Sequence, residues 1–293
     1  MISNRDTLIQ ETAEIVSHLT YPASQHVMRV MAPRVAALAQ PGSFVHTQCD
    51  SAIAMRRPIS IMRVDASDAW IDLLYKEVGV GTRALANQRV GQTLELIGPI
   101  GRPFKLLETH VRPLLIGGGV GIPPVLFLAE RLSNRLNEFQ PLLLMGSEVP
   151  FPFELAPSVV PIAGIDDAVA TTLALSESWG IATRLSSLGG FDGCYDGYVT
   201  DLARRWLDNL DENERRKVAV YSCGPTPMLK AVAALAKEYE LPCQVSLEEF
   251  MACAVGGCAG CTVRVHTNTG DAMKRVCVDG PVFEAAEVFF GDG

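Results

Sequence analysis

Four cysteines near the end of the chain, Cys253, Cys258, Cys261 and Cys277, stand in the spacing C-x4-C-x2-C-x15-C. Three of them crowd into Cys-Ala-Val-Gly-Gly-Cys-Ala-Gly-Cys, where Gly256, Gly257, Gly260, Ala254 and Ala259 leave little side-chain bulk. A loop that wraps an inorganic cluster must aim its backbone N–H groups inward at sulfur, and small residues tolerate the dihedrals this requires. The opening spacing is that of plant-type 2Fe-2S sites. A structural zinc held by four thiolates is the competing assignment, but it usually brings two C-x2-4-C knuckles, and here the last cysteine stands alone. Cys49, Cys194 and Cys243 read as small apolar residues of strands or loops.

Ahead of that segment the chain is written in two grammars. Up to about Phe104 apolar and polar residues mostly alternate, over His26–Met31, Ser43–Cys49, Ile59–Val64, Trp70–Val78 and Thr93–Ile97, with Gly, Pro-Gly and Asp-Ala-Ser turns between them. Short strands at regular spacing predict a small antiparallel barrel or sandwich. From Val111 strands alternate with helices. Pro113–Ile116 reads as a buried strand, Pro124 to about Phe139 as a helix, Pro141–Met145 as a strand and Asp166–Trp179 as a helix capped by its Asp. Val218–Ser222 is a further strand, and Pro227 suits the first turn of a helix begun by Thr226. This order implies a parallel sheet with helices on both faces. The expected fold is therefore β + α/β in three domains: an antiparallel barrel over 1–106, an α/β nucleotide-binding domain over 107–243 and a small cluster domain over 244–293.

Two turns of the α/β part invite a phosphate. Leu114-Leu115-Ile116 runs into Gly117-Gly118-Gly119-Val120-Gly121-Ile122-Pro123-Pro124, a strand, turn and helix start where a pyrophosphate can approach backbone N–H groups. The spacing is not the usual Rossmann fingerprint, and tight strand–helix turns also use glycine. A second strand end, Ser222-Cys223-Gly224-Pro225, leads into the Thr226 helix. In an open parallel sheet, ligands bind beyond the carboxyl ends of the strands, so both turns can line one crevice.

The remaining composition excludes more than it assigns. The chain has 293 residues and a formal net charge of −8, which leaves no basic surplus for a nucleic-acid partner. Its most apolar stretch, Pro113–Ala129, holds four glycines and two further prolines and is no membrane span. The polar start, Met1–Leu8, shows no apolar core of a secretory signal, so a cytoplasmic chain with reduced thiols is expected.

Five motifs then fall in one order: Arg57-Pro58-Ile59-Ser60, Gly79-Val80-Gly81-Thr82, the Gly117–Pro124 turn, Cys223-Gly224-Pro225 and the cysteine segment closing in Val276-Cys277-Val278-Asp279-Gly280-Pro281-Val282-Phe283. Over nearly its whole length the chain resembles the ferredoxin-reductase-like flavoproteins. Its terminal segment resembles one branch of them, the electron-transfer subunits of NAD-dependent dihydroorotate dehydrogenases in pyrimidine biosynthesis. The resemblance implies that Arg57 pairs with the FAD pyrophosphate and that Ser60 hydrogen-bonds near the flavin N5. It gives the rest of the dinucleotide to Leu74-Tyr75-Lys76 and to Gly81 and Thr82, the NADH pyrophosphate to Gly117–Gly121, and a place beside the nicotinamide to Cys223. Many relatives carry Tyr where Ile59 stands, so aromatic cover of the flavin from that position is missing. The implied activity is that of an NADH-dependent oxidoreductase subunit: electrons pass between NAD(H), FAD and a 2Fe-2S cluster, which exchanges them with a separate FMN-containing dihydroorotate dehydrogenase subunit in a hetero-oligomer. Rival readings are a reductase or diaphorase subunit of a hydrogenase or transhydrogenase complex, and a zinc-stabilised nucleotide-binding regulator. No Lys or Arg lies between Arg135 and Arg184, while Glu148 follows the second strand of the α/β part, which favours NAD over NADP.

Overall fold

The computed structural model describes residues 8–289, so Met1–Thr7 of the polar start and residues 290–293 lie outside the described residues. Six strands, β1 (Ile9–Tyr21), β2 (Gln25–Met31), β3 (Phe44–Thr47), β4 (Arg57–Asp65), β5 (Trp70–Lys76) and β6 (Thr93–Ile100), close an antiparallel barrel in the order β1-β2-β5-β4-β3-β6. The alternating residues Met28, Val30, Ile71, Leu73, Leu94 and Leu96 fill it. β1 escapes the sequence pattern because Glu11, only 8% exposed, turns inward where an apolar residue is expected. Its carboxylate accepts the backbone N–H groups of Arg34 and Val35 at 3.0 and 2.9 Å, capping from a distance the short helix α1 (Pro33–Leu38). A second short helix, α2 (Val80–Ala86), crosses between β5 and β6.

The α/β part follows as β7 (Arg112–Gly118), α3 (Ile122–Ser133), β8 (Leu142–Gly146), β9 (Leu155–Pro157), β10 (Thr171–Leu173), α4 (Ala174–Ser178), β11 (Ala182–Ser187), β12 (Tyr195–Asp196), α5 (Val199–Asn209), α6 (Glu212–Arg215), β13 (Val218–Cys223), α7 (Thr226–Glu238) and β14 (Cys243–Ser246). Helix α3 covers one face of its sheet, through Val125 and Leu126 on Leu115, Leu143 and Tyr221. Helices α5 and α7 cover the other, through Trp206 and Val232 on Leu114, Ile116 and Leu144. α3 also reaches the barrel: Phe127 is fully buried among the barrel's own core residues.

Two expected helices are corrected. The first ends at Ser133 rather than near Phe139, with Asn134 as its C-cap. Asp166–Trp179 is not one helix, because Asp166 Oδ1 accepts the Ala168 N–H at 2.8 Å in a tight turn and β-branched Thr171 and Thr172 pair with β9. Only Ala174–Ser178 is helical.

The chain ends in a hairpin, β15 (Thr262–Thr267) and β16 (Gly270–Arg275), then α8 (Val276–Asp279), β17 (Val282–Glu284) and α9 (Ala285–Val288). β17 runs antiparallel to β14 and completes a seven-stranded sheet of order β12-β11-β8-β7-β13-β14-β17. A core of Met251, Cys261, Val265, Val276, Cys277 and Phe283 rests on Phe44 and Ile100 of the barrel. Among the described residues no helix is long and apolar enough to cross a membrane.

Candidate functional site

Barrel, α/β sheet and cysteine segment meet around one open cavity of about 870 Å³. Its barrel wall is built by the start of β4 (Arg57, Pro58, Ile59, Ser60), the end of β5 (Leu74, Tyr75, Lys76) and the turn into α2 (Val78, Gly79, Thr82). The facing wall is Val120 of the glycine turn, the strap Ser246–Ala252 that leaves β14, Gly260 and Pro281. Sequence-predicted residues from two distant strands thus share one wall.

That wall is set by its own bonds. Arg57 donates through Nη1 to the carbonyls of Met55 and Arg56 at 2.8 and 3.0 Å. Its guanidinium lies flat on Gly81, where a Cβ would stand 2.7 Å from Nε and 2.8 Å from Cζ. Gly81 does not line the cavity; it makes room for the group that does. Thr82 uses its hydroxyl locally, accepting the N–H groups of Val78 and Gly79 at 2.9 and 3.2 Å and so shaping the turn. Tyr75 is held by two histidines. His18 Nδ1 faces the Gln88 carbonyl at 2.9 Å and must donate to it, so Nε2 accepts the Tyr75 hydroxyl at 2.8 Å. The His26 ring stacks on Tyr75 with centroids 5.1 Å apart. Burial pushes the Tyr75 phenol well above its ordinary range, and burial, with His26 adding to it, lowers His18.

The two glycine turns meet backbone to backbone. A Cβ on Gly121 would lie 2.5 Å from Gly224 Cα, one on Gly118 2.4 Å from Met228 Sδ, and one on Gly117 2.7 Å from Val125. Those glycines serve packing between turn, turn and helix. Gly119, at φ +54°, alone in this turn has open space beside it. Cys223 is 1% exposed and pairs in register with Gly117 on one side and Ser246 on the other. Ser246 lines the cavity, whereas its register partner Cys223, like Gly117–Gly119, Gly121, Gly224 and Pro225, is not among the lining residues. Desolvation, with Glu248 nearby, pushes the Cys223 thiol well up, so it stays protonated. Pro225 caps α7. Glu248 is exposed and lines the cavity, and partial desolvation by the surrounding chain raises its carboxyl.

The four sequence-predicted thiols come together in two pairs. Cys261 and Cys277 are buried with their sulfurs 3.3 Å apart, and Cys253 Sγ accepts the Cys258 N–H at 3.4 Å. Ala254, Gly256 and Ala259 take left-handed φ values of 55°, 81° and 55°, turning N–H groups toward sulfur. Burial opposes ionisation of Cys253, but N–H groups of Val255, Cys258 and Gly257 prevail and bring it down to about 7. Cys277 is raised to about 12 by burial and by Cys261. No three His, Cys, Asp or Glu groups among the described residues converge on a single ion. Pairs of thiols, one pair to each iron, are what a two-iron centre asks of its ligands.

Sequence reasoning missed the strap. Phe250, Glu248 and Met251 carry no spacing signal, since tertiary packing alone brings them to the cavity. It also missed His18 and His26, whose partners lie 57 and 51 residues away.

The family model for the iron-sulfur cluster binding domain of dihydroorotate dehydrogenase B matches residues 248–289. The chain is 34% identical to the dihydroorotate dehydrogenase B (NAD(+)) electron transfer subunit of Shouchella clausii, over 86% of this chain and 87% of that one. To the same subunit of a Geobacillus species it is 31% identical, over 95% and 98%. Among solved structures it is similar to an NADH-dependent reduced ferredoxin-NADP oxidoreductase studied for flavin-based electron bifurcation, with TM-score 0.74 and 26% identity over 94% of this chain and 89% of that one. The ferredoxin reductase of carbazole 1,9a-dioxygenase, at 18% identity and TM-score 0.59 over 80% and 67%, shares the fold.

Proposed function

Because the chain belongs to the family of dihydroorotate dehydrogenase B (NAD(+)) electron transfer subunits, we propose that it is an oxidoreductase subunit exchanging electrons among NAD(H), FAD and a 2Fe-2S cluster and with an FMN-containing dihydroorotate dehydrogenase catalytic subunit in pyrimidine biosynthesis. The observation that carries this reading is the shared cavity. Ala252 and Gly260 of the cysteine loop line the same space as Arg57, Ser60 and Tyr75, which supports a flavin held beside a cluster.

The residues fit these groups. The Arg57 guanidinium, laid open by Gly81, suits a charge-assisted contact to a pyrophosphate. Ser60, among the residues that line the cavity, would hydrogen-bond near the flavin N5, while Leu74, Tyr75 and Lys76 with Thr82 would bound the rest of the dinucleotide. Gly119 offers an uncrowded backbone to the NAD pyrophosphate at the start of α3. The buried, protonated Cys223 would lie near the nicotinamide at the carboxyl end of β13. Cys253, Cys258, Cys261 and Cys277 hold the cluster. A bound flavin supplies the conversion between two-electron hydride chemistry and one-electron traffic. The division into units 1–106, 107–243 and 244–293 and a cytoplasmic location belong to the same proposal. Eight unpaired cysteines suit a reducing compartment.

A second reading, the reductase subunit of a bifurcating complex, draws on the likeness at TM-score 0.74. Reconstitution separates the two. Alone, the chain should reduce ferricyanide with NADH and leave dihydroorotate untouched; paired with the FMN subunit it should couple dihydroorotate oxidation to NAD reduction. Dihydroorotate turnover by the isolated chain, or failure of an FMN subunit to bind it, overturns the first reading.

A further inference from the structure

One arginine ties the two halves of the cysteine segment together. Arg275 ends β16, two residues before Cys277, yet its Nη1 donates to the Gly256 carbonyl at 3.0 Å, inside the loop that carries the other three thiols. Asp279 holds the guanidinium in place: its Oδ2 accepts the Arg275 backbone N–H at 2.8 Å and stands 3.5 Å from Nε. A backbone bond runs alongside, from the Val276 N–H to the Cys261 carbonyl at 2.9 Å. Gly256 itself sits at φ +81° and has no room for a side chain, since a Cβ would lie 2.5 Å from Val278 Cγ2.

The grip matters because of what the neighbouring N–H groups do. A trans peptide is planar, so its C=O and N–H point in opposite directions. Drawing the Gly256 carbonyl toward Arg275 therefore turns the Gly257 N–H the other way, toward Cys253, whose sulfur accepts the N–H groups of Val255, Gly257 and Cys258. The N–H of Gly256 itself faces Cys277. The two peptides that flank this glycine thus serve one sulfur of each thiol pair. We propose that Arg275 is a positioning residue for the 2Fe-2S cluster, clamping the Gly256 peptide so that the Gly257 N–H stays on Cys253 and the cluster's reduction potential is held up. Hydrogen bonds to sulfur favour the more negative, reduced cluster. Asp279 offsets the charge of Arg275, so the clamp and not the charge carries the effect. This rests on the cluster reading given above.

The test uses the isolated full chain loaded with FAD and cluster, as Arg275→Met, which keeps the stem without the donors, and Arg275→Lys, which keeps a charged donor. Arg275→Met should shift the one-electron equilibrium of the cluster about tenfold towards its oxidised form, the scale of one hydrogen bond and a fall of about 59 mV in potential. Pulsed EPR of its reduced cluster should lose a peptide-nitrogen coupling. Arg275→Lys should stay close to wild type in both. An unchanged potential in Arg275→Met overturns the clamp, and so does a lowered potential with every nitrogen coupling retained, which is the mark of charge alone. If Arg275→Met takes up no cluster, amide hydrogen exchange in the cluster-free chain decides: faster exchange at Gly257 than in wild type supports the clamp, and equal rates overturn it. A wild-type chain that binds no iron removes the cluster reading itself, and the clamp with it.

Discussion

The two walls of the cavity are made differently. On the barrel side every group is held by neighbours: Arg57 by two carbonyls and Gly81, Tyr75 by two histidines, Thr82 by its own turn. On the strap side burial falls from 3% exposure at Ser246 to 94% at Phe250 within four residues, and the loop beyond it takes left-handed backbone at two alanines. The first wall is complete before any ligand arrives. The second brings its thiols together in two pairs over a loop with left-handed backbone. One wall is fixed by side-chain contacts within the barrel, the other by the backbone of the strap and the cysteine loop.

Breaking the strap wall at its sulfur should give the largest effect. Cys258→Ser is expected to abolish cluster absorbance and iron content while FAD stays bound, and Cys194→Ser, on the edge of the α/β core, should leave both unchanged. A full complement of iron in Cys258→Ser would remove it from the ligand set. The barrel wall should respond in the opposite currency, flavin affinity with the cluster intact. Gly81→Ala places a methyl 2.7 Å from Arg57 Nε, so the guanidinium must move. FAD affinity should drop by about tenfold or more, matching the roughly 1.5–3 kcal/mol of a charge-assisted phosphate bond. Arg57→Ala should lose as much, and adding Gly81→Ala to it should cost little further. Equilibrium dialysis reads all three, and unchanged affinity in Arg57→Ala would take that residue off the phosphate.

The smallest effect sharpens the seam between the walls. His46 is 1% exposed, pairs in register with Pro58 and Ile97, and neither ring nitrogen completes a hydrogen bond although the Met251 and Arg56 backbones approach. Burial, then the Arg56 charge, lowers it from 6.5 to about 4. Between those values the unfolded chain binds a proton that the folded imidazole refuses, so stability falls as pH drops through that window. The loss should approach about 3 kcal/mol near its lower end. His46→Leu should flatten this slope relative to wild type in denaturant titrations between pH 7 and pH 4.5. Parallel slopes would show that folding does not lower the affinity of this imidazole for its proton.

What the sequence disclosed follows the same division. Alternation exposed β2 to β6, and strand–glycine–helix order exposed β7, α3, β13 and α7, because buried apolar residues such as Met28, Val45, Leu73, Leu115 and Val220 recur along them. β1 was hidden by Glu11. β11 was hidden because its buried positions include Thr183, Arg184, Ser186 and Ser187, with Arg184 satisfied only by the Thr183 and Val160 carbonyls at 2.8 and 2.7 Å. The thiols were legible from spacing alone. Arg57, Ser60 and Tyr75 needed the resemblance, since single polar residues on strands carry no pattern. Phe250 was out of reach of both, because only packing brings the strap to the cavity.

The return of β17 to β14 has a consequence for how current flows. The polypeptide leaves the large sheet at Ser246, makes the whole cysteine fold and comes back to hydrogen-bond the very strand it left, Val282 opposite Ser246. The metal module is thus soldered at both leads instead of dangling from a tether. A swinging carrier would make turnover sensitive to solvent viscosity and tether length; a junction closed at both ends fixes the hop between the two redox groups and leaves only docking with the next protein to diffusion.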